Sequence, residues 1–215
     1  MRWALTLAFA IAALALAACG DDESTEATVQ GPCEAASTPP PKEVDLDPPP
    51  AKPSAQKLSV VVDTSCGSFT IALDTKDNPK TAASFAHMVE NGVYDNTAFY
   101  RISIGPPIIQ GGDPTGTGLG DAGYEVDELP PPDTAYTKGV VAMAKSGSAP
   151  PGRSGSQFFI VTAADAGLPP DYAVAGRVVR GFDVVTTISQ FGDPTGQSED
   201  PLEPVNVNSM TLEKP

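Results

Sequence analysis

The sequence predicts an all-β domain with minor α content, folded as a sandwich or a closed barrel. Three observations predict it. From Lys57 onward the chain breaks into many short apolar segments separated by Gly- and Pro-rich turns. Only two stretches carry a helical period. The length from 57 to 215, about 159 residues, suits one domain with a single core.

The stretch "KLSVVVDTSCGSFTIALD" alternates Leu58, Val60 and Val62, turns around Ser65 to Gly67, and alternates again through Phe69, Ile71 and Leu73. That is a hairpin with one apolar face. "DNPKTAASFAHMVENG" reads as a helix. Asn78 caps it, Pro79 takes the first turn, Gly92 stops it, and Ala82, Phe85, Ala86 and Val89 make its buried stripe. His87 falls off that stripe and is expected at the surface. Short strands follow in "AFYRIS", "IIQGGD", "GVVAMAK", "SQFFIVT" and "YAVAGRVV". A second short helix, "FDVVTTISQ", and a last strand near "VNVNSMTL" complete the chain. The pentapeptide Gly-Asp-Pro-Thr-Gly occurs from Gly112 and again from Gly192; both copies read as turns, not as a structural repeat.

Three segments are expected: a targeting segment over 1–18, a linker over 19–56 and the domain over 57–215. The first has Arg2 at its front and an Ala-rich apolar run too short to favour a permanent span. It ends in Leu16-Ala17-Ala18-Cys19, which resembles the lipobox of bacterial lipoproteins. The resemblance implies cleavage before Cys19 and a diacylglyceryl group on its sulfur, which anchors the chain to a bacterial cell membrane from outside the cytoplasm. The alternative is an ordinary signal peptide cut after Ala18, with Cys19 left as a thiol. The linker, rich in Pro and free of aromatics, reads as a semi-extended spacer that lifts the domain off the membrane.

Without residues 1–18 the chain keeps 12 basic and 27 acidic residues, a balance of −15. A nucleic-acid partner is excluded on charge, because phosphate binding needs a basic face. A monomer is expected. Cys33 and Cys66 remain after Cys19; outside the cytoplasm such a pair is expected as a disulfide, two unrelated thiols being the alternative. No metal or other cofactor is expected: His87 is the only histidine and no Cys/His cluster exists. Nor does one histidine on a helix support a Ser-His-Asp arrangement, and "GTGLGDAG" lacks the Gly-Lys-Ser/Thr of a phosphate cradle.

In "RSGSQFFIVT", Phe158 and Ile160 point to one face of a strand, and Gln157 and Phe159 to the other. One face fills a core; the other shows an amide beside a phenyl ring. With "FYRISIGPPIIQGGDPTGTGLG" and "GVVAMAKSGSAPPGRSGSQFFIVTAADAGL", the chain resembles the cyclophilins, the peptidyl-prolyl cis-trans isomerases, over nearly all of residues 57–192. The carrying pieces are an aromatic-x-Arg, Gln-Gly-Gly-Asp and Gly-Ser-Gln-Phe-Phe. The resemblance implies a closed eight-stranded antiparallel barrel capped by two helices. By similarity Arg101, Gln110 and Phe159 are catalytic: Arg101 supplies a guanidinium, Gln110 holds it and the substrate backbone, and Phe159 floors a proline pocket. Ile108, Ala144 and Leu168 line the pocket and its neighbour. Gln157, Tyr172, the main chain of Lys145 and, at the rim, Pro107 complete the substrate-binding set. Phe159 is expected uncovered, so that proline can cover it.

The chain departs from the family pattern in four places. Arg101 to Gln110 is one residue longer than usual, with "GPPIIQ" where an aromatic wall is common, so Pro106 and Pro107 are expected to bulge the strand or stiffen the rim. Lys145 replaces an Asn that grips substrate through its backbone. The loop "SGSAPPGRSG" is long. Tyr172 stands where members have a pocket His, and Gly167 where many have Trp; the missing Trp implies weak cyclosporin A binding. The expected function is isomerisation of Xaa-Pro bonds in proline-containing polypeptides during extracytoplasmic folding. The alternative is a proline-peptide-binding module or holdase with little turnover.

Overall fold

The structure, a computed structural model, describes residues 33–49 and 56–214. The first hairpin forms as its alternation dictates, from β1 (Ser59–Thr64) and β2 (Gly67–Leu73), with Val60, Val62, Phe69 and Ile71 fully buried between them and the core. Helix α1 (Pro79–Glu90) follows and buries Ala82, Phe85, Ala86 and Val89 as its stripe requires. The Asn78 side chain makes no capping bond; it donates to Asp74 Oδ2 at 2.8 Å. Glu128, from a loop 47 residues away, accepts the N–H groups of Lys80 and Thr81 instead. Gly92, at φ +64°, ends the helix.

Two short strands, β3 (Thr97–Ala98) and β4 (Arg101–Ile104), occupy "AFYRIS", broken at Phe99 and Tyr100. The rest are β5 (Pro107–Gly111), β6 (Val126–Asp127), β7 (Val140–Met143), β8 (Arg153–Ser154), β9 (Phe158–Val161), β10 (Val174–Arg180) and β11 (Asn206–Glu213), with α2 (Phe182–Ser189) before the last. No periodic signal marks β6 and β8, which are two residues each and, among the described residues, pair only with one another.

The remaining nine strands form one antiparallel sheet in the order β3-β11-β1-β2-β10-β7-β9-β5-β4. The sheet curls around its core, with α1 against β10 and β11 and α2 against β2 and β5. Its edges are β3 and β4, which follow each other in the chain. Among the described residues no ladder joins those edges, so the eight-stranded barrel expected to close through hydrogen bonds is instead a curled nine-stranded sheet. The extra strand arises because Phe99 and Tyr100 leave the ladder between β3 and β4. Inside, Phe158 meets Phe85, Tyr94 and Phe99 edge to face at 5.6, 5.6 and 6.1 Å.

The β4–β5 ladder runs from Arg101–Gln110 to Ile104–Pro107 without a shift, so the bulge expected at Pro106 and Pro107 does not occur. Arg101 to Gln110 spans ten residues, of which eight pair across the two strands. The two that remain, Gly105 and a cis-linked Pro106, make the turn.

The Pro-rich stretch expected to stand free as a spacer lies, over residues 33–49, against the domain. Cys33 is disulfide-bonded to Cys66. The N–H groups of Glu34, Lys42 and Leu46 donate to the carbonyls of Ser65, Pro114 and Ala122. Lys42 Nζ donates to the carbonyls of Gly92 and Asp95 at 2.8 and 2.6 Å, just beyond the end of α1. Val44 and Leu46 pack on the core. His87 Nε2, half-buried rather than free at the surface, lies 3.1 Å from the Asp47 carbonyl. Lys42, Val44 and Leu46 are half-buried and Glu43 and Asp45 exposed, the alternation of an extended strap. The targeting segment, Cys19 and residues 50–55 lie outside the described residues.

Candidate active site

The registers of β4, β5, β9, β7 and β10 place Arg101, Gln110, Phe159, Ala142 and Val174 in one row across the sheet. Directly opposed residues share a face. Neighbouring strands lie about 4.8 Å apart, so the backbones of Arg101 and Phe159 are about 10 Å apart with Gln110 between them. The next row, Ile102, Ile109, Ile160 and Val141, belongs to the interior. Ile108, Ala142, Phe159 and Val161 gather on the outer face with Tyr136, Val140 and Ala166. Period-two alternation therefore does what "QFFIV" suggested: Phe158 and Ile160 enter the core, and Phe159 joins a separate outer cluster.

Arg101 is held from two sides. Its Nη1 donates to Gln110 Oε1 at 2.8 Å. Its Nε and Nη2 donate to the two carboxylate oxygens of Glu199 at 2.7 and 3.0 Å. The Arg101 guanidinium, and then the Ser103 hydroxyl, hold the Glu199 carboxyl below the usual glutamate range. From Gln110 the polar chain continues. Its Nε2 donates to Tyr100 Oη, Tyr100 Oη donates to Gln157 Oε1, and Gln157 Nε2 donates to the carbonyls of Gly118 and Gly120 at 3.1 and 2.9 Å. Burial, helped by Asp113, pushes the Tyr100 hydroxyl up to about 12, so it stays protonated and donates.

The Gln110-Gly111-Gly112 sequence has a packing reason. Gly112 sits at φ +83°, and a Cβ there would lie 2.7 Å from the Ser156 carbonyl and 2.8 Å from the Phe158 ring. The chain then turns at Asp113, whose carboxylate accepts the N–H groups of Thr115 and Gly118. The second copy of the pentapeptide builds the same turn: Asp193 accepts from the backbone of Thr195, Gln197 and Ser198. The first turn leads to the loop that holds Gln157, the second to Glu199.

Phe159 is not left bare; it is 2% exposed. Tyr172 meets it edge to face at 5.4 Å and Tyr136 lies at 6.3 Å, with Ile108 and Ala166 in the same cluster. Tyr136 Oη fixes Tyr172 by donating to its carbonyl at 2.6 Å and accepting its N–H at 2.9 Å. Ala144, Leu168, Tyr172 and Val174 remain half-buried at the edge of the cluster. Pro107 does not join it, because alternation along β5 turns Pro107 to the side of Ile109, away from Ile108 and Gln110.

Beside the row lies a cavity of about 260 Å³ walled by Gln110, Gln157, Ala144, Lys145, the Gly118–Asp121 loop and Arg153. Lys145 Nζ donates to the Ala149 carbonyl at 3.2 Å and stands 5.7 Å over the Tyr172 ring. The long loop carries β8, and Arg153 forks onto Asp127 at 2.7 and 2.8 Å.

Sequence reasoning missed Tyr100, Tyr136 and Glu199. Tyr100 precedes Arg101 and by strict alternation belongs on the other face; only the break before β4 brings its hydroxyl to Gln110. Tyr136 and Glu199 lie in irregular segments with no local signal.

The family model described as "Cyclophilin type peptidyl-prolyl cis-trans isomerase/CLD" matches residues 59–212. The chain is 38% identical to peptidyl-prolyl cis-trans isomerase-like 1 of Neurospora crassa over 152 residues, 69% of this chain and 90% of that protein. The Homo sapiens protein of the same name is 36% identical over 158 residues, 72% and 92%. A crystal structure of a Cryptosporidium parvum cyclophilin type peptidyl-prolyl cis-trans isomerase matches with a TM-score of 0.65 at 30% identity, covering 74% of this chain and 99% of that one. The same protein in the presence of the dipeptide Ala-Pro matches at 0.64 and 30%, covering 73% and 99%. With the Arg101–Gln110–Phe159 row inside the matched span, this chain belongs to the cyclophilin-type peptidyl-prolyl cis-trans isomerases, and its activity is the cis-trans isomerisation of peptidyl-prolyl bonds.

Proposed function

We propose that this isomerase works outside the cytoplasm, tethered to a bacterial membrane by a lipid on Cys19, and turns Xaa-Pro bonds of proteins folding there. The row of Arg101, Gln110 and Phe159 on the outer face carries the catalytic part of the reading. An Xaa-Pro bond resists rotation by about 18–20 kcal/mol through amide resonance. Rotation returns the lone pair to the prolyl nitrogen. A guanidinium N–H donated to that nitrogen stabilises the twisted state over the planar one. A rate factor of about 10⁵ asks for roughly 7 kcal/mol from this bond, the pocket and the backbone grip together. Arg101 is the donor and Gln110 orients it. Phe159 floors the pocket between Ile108, Leu168 and Tyr172, and Ala144, Lys145 and Gln157 flank the substrate chain. The Ala-Pro dipeptide present with the Cryptosporidium protein supports a proline-containing peptide as substrate. The curled sheet acts as a closed barrel, its ring completed along the chain from β3 to β4.

The tether rests on Leu16-Ala17-Ala18-Cys19, and the Cys33–Cys66 bridge supports an oxidising compartment. Mass spectrometry of the mature chain is expected to find a diacylglyceryl N-terminal cysteine at Cys19. A free N-terminal thiol would remove the anchor from the reading.

A second reading, a proline-peptide-binding module or holdase with little turnover, is favoured by the covered Phe159 ring and by an Arg101 already paired to a carboxylate. Exchange spectroscopy on an Ala-Pro peptide separates the two. Fast exchange that disappears in Arg101→Ala supports the enzyme. Shift changes with no added exchange, in both proteins, support the module.

A further inference from the structure

Arg101 and Glu199 are 98 residues apart in sequence, yet the carboxylate takes the guanidinium in a two-point fork. Exposed ion pairs usually contribute little, because two long side chains must be ordered to meet. Here the backbone that carries the carboxylate is itself held in place. The Glu199 carbonyl accepts the Ile102 N–H at 2.8 Å, which pins the loop to the edge of β4 beside Arg101. The Asp193 carboxylate takes the N–H groups of Gln197 and Ser198 at 3.1 and 3.0 Å, and Ser198 Oγ takes that of Asp200 at 3.0 Å. The Ser103 hydroxyl, on the same strand as Arg101, helps hold the Glu199 carboxyl below its ordinary range. Four separate bonds therefore fix the backbone on either side of the carboxylate.

We propose that Glu199 is a positioning residue for isomerisation, aiming the Arg101 guanidinium at the prolyl nitrogen. The inference rests on Arg101 being the donor described above. Guanidinium has five N–H groups. Glu199 takes the one on Nε and one on Nη2, and Gln110 takes one on Nη1. Two remain for substrate, one on each terminal nitrogen, and with both other sides held the plane of the group is fixed before the peptide arrives. The carboxylate also cancels part of the cation's charge. If charge were the limiting quantity, removing Glu199 would speed the reaction; if aim is limiting, it slows it.

The test measures kcat and KM on an Ala-Pro peptide for the whole chain, for Arg101→Ala, Glu199→Ala and Glu199→Gln, and the Arg101 Nε–H resonance for all but the first variant. Glu199→Ala is expected to lower kcat about tenfold with KM within about twofold, and to broaden or lose the Nε–H signal. Glu199→Gln, whose amide oxygen still accepts one N–H, is expected to recover part of both. Wild-type kcat, or a raised kcat, in both Glu199 variants overturns the inference while Arg101→Ala remains inactive. If Arg101→Ala is itself fully active, the donor role fails, and the inference with it. Glu199 is exposed at the surface, and an unchanged amide spectrum elsewhere establishes that the variants are folded.

Discussion

Phe159 and Tyr172 meet edge to face with ring centroids 5.4 Å apart and planes at 85°. The two rings form a single aromatic unit, tied down by Tyr136 through two bonds to the Tyr172 backbone; under the proposed function it is the pocket floor and one wall. An edge-to-face pair contributes about 0.5–1.5 kcal/mol beyond its buried area. Tyr172→Ala is therefore expected to cost about that much stability, read as a urea midpoint, and, with the wall gone, to raise KM for an Ala-Pro peptide with kcat little changed. A lower KM would show that Tyr172 lids the phenyl ring instead of walling the site.

Gly112, beside the site, is one position where the fold tolerates no side chain. Its φ of +83° and the 2.7 Å approach to a backbone carbonyl act together. Gly112→Ala is expected to cost more than about 3 kcal/mol, read as a shifted urea midpoint. Gly147→Ala, where nothing lies within 4 Å of the added Cβ, is the control and is expected to stay within about 0.5 kcal/mol.

The Cys33–Cys66 bridge closes a loop with a sequence separation of 33. Loop-closure entropy for that length gives roughly 3–4 kcal/mol as an upper value. Cys33→Ser is expected to destabilise by up to that amount in denaturant and to open the 33–49 strap to proteolysis, since the bridge and Lys42 are its main fastenings. An unchanged midpoint with the strap still protected would show that Val44 and Leu46 hold it by packing alone.

Stability is expected to fall at both ends of the pH scale, for opposite reasons. Burial alone would push the Asp113 carboxyl up, but the hydrogen bonds from Thr115, Gly120 and Gly118 outweigh it and leave the group below its ordinary range. Glu199 is lowered by Arg101 and Ser103. Unfolded carboxyls titrate near about 4, so this stabilisation is present above that pH and is lost as the pH falls through the lower folded values. Tyr100 is raised to about 12 against an unfolded value of about 10, so its contribution is whole below pH 10 and is lost towards pH 12. Urea midpoints against pH check both limbs. Asp113→Asn, which removes the acidic group, is expected to flatten the slope below pH 4, and an undiminished slope would assign that limb elsewhere.

By itself the sequence determined most of the strands, the two helices and the face on which Phe159 lies. Those depend on periods of 2 and 3.6 residues, which are local, so alternation in "SQFFIVT" was enough to send Phe158 inward and Phe159 outward. Tertiary structure alone decided what stands beside those residues. Glu199 on Arg101, Tyr136 behind Tyr172, Glu128 at the start of α1 and the strap over His87 each join segments 36 or more residues apart. No local period encodes such a meeting, because it is set by where turns and ladder registers happen to deliver the chain. The covering of Phe159 has the same origin: alternation fixes the face on which a ring lies, and only packing fixes how much of it remains open.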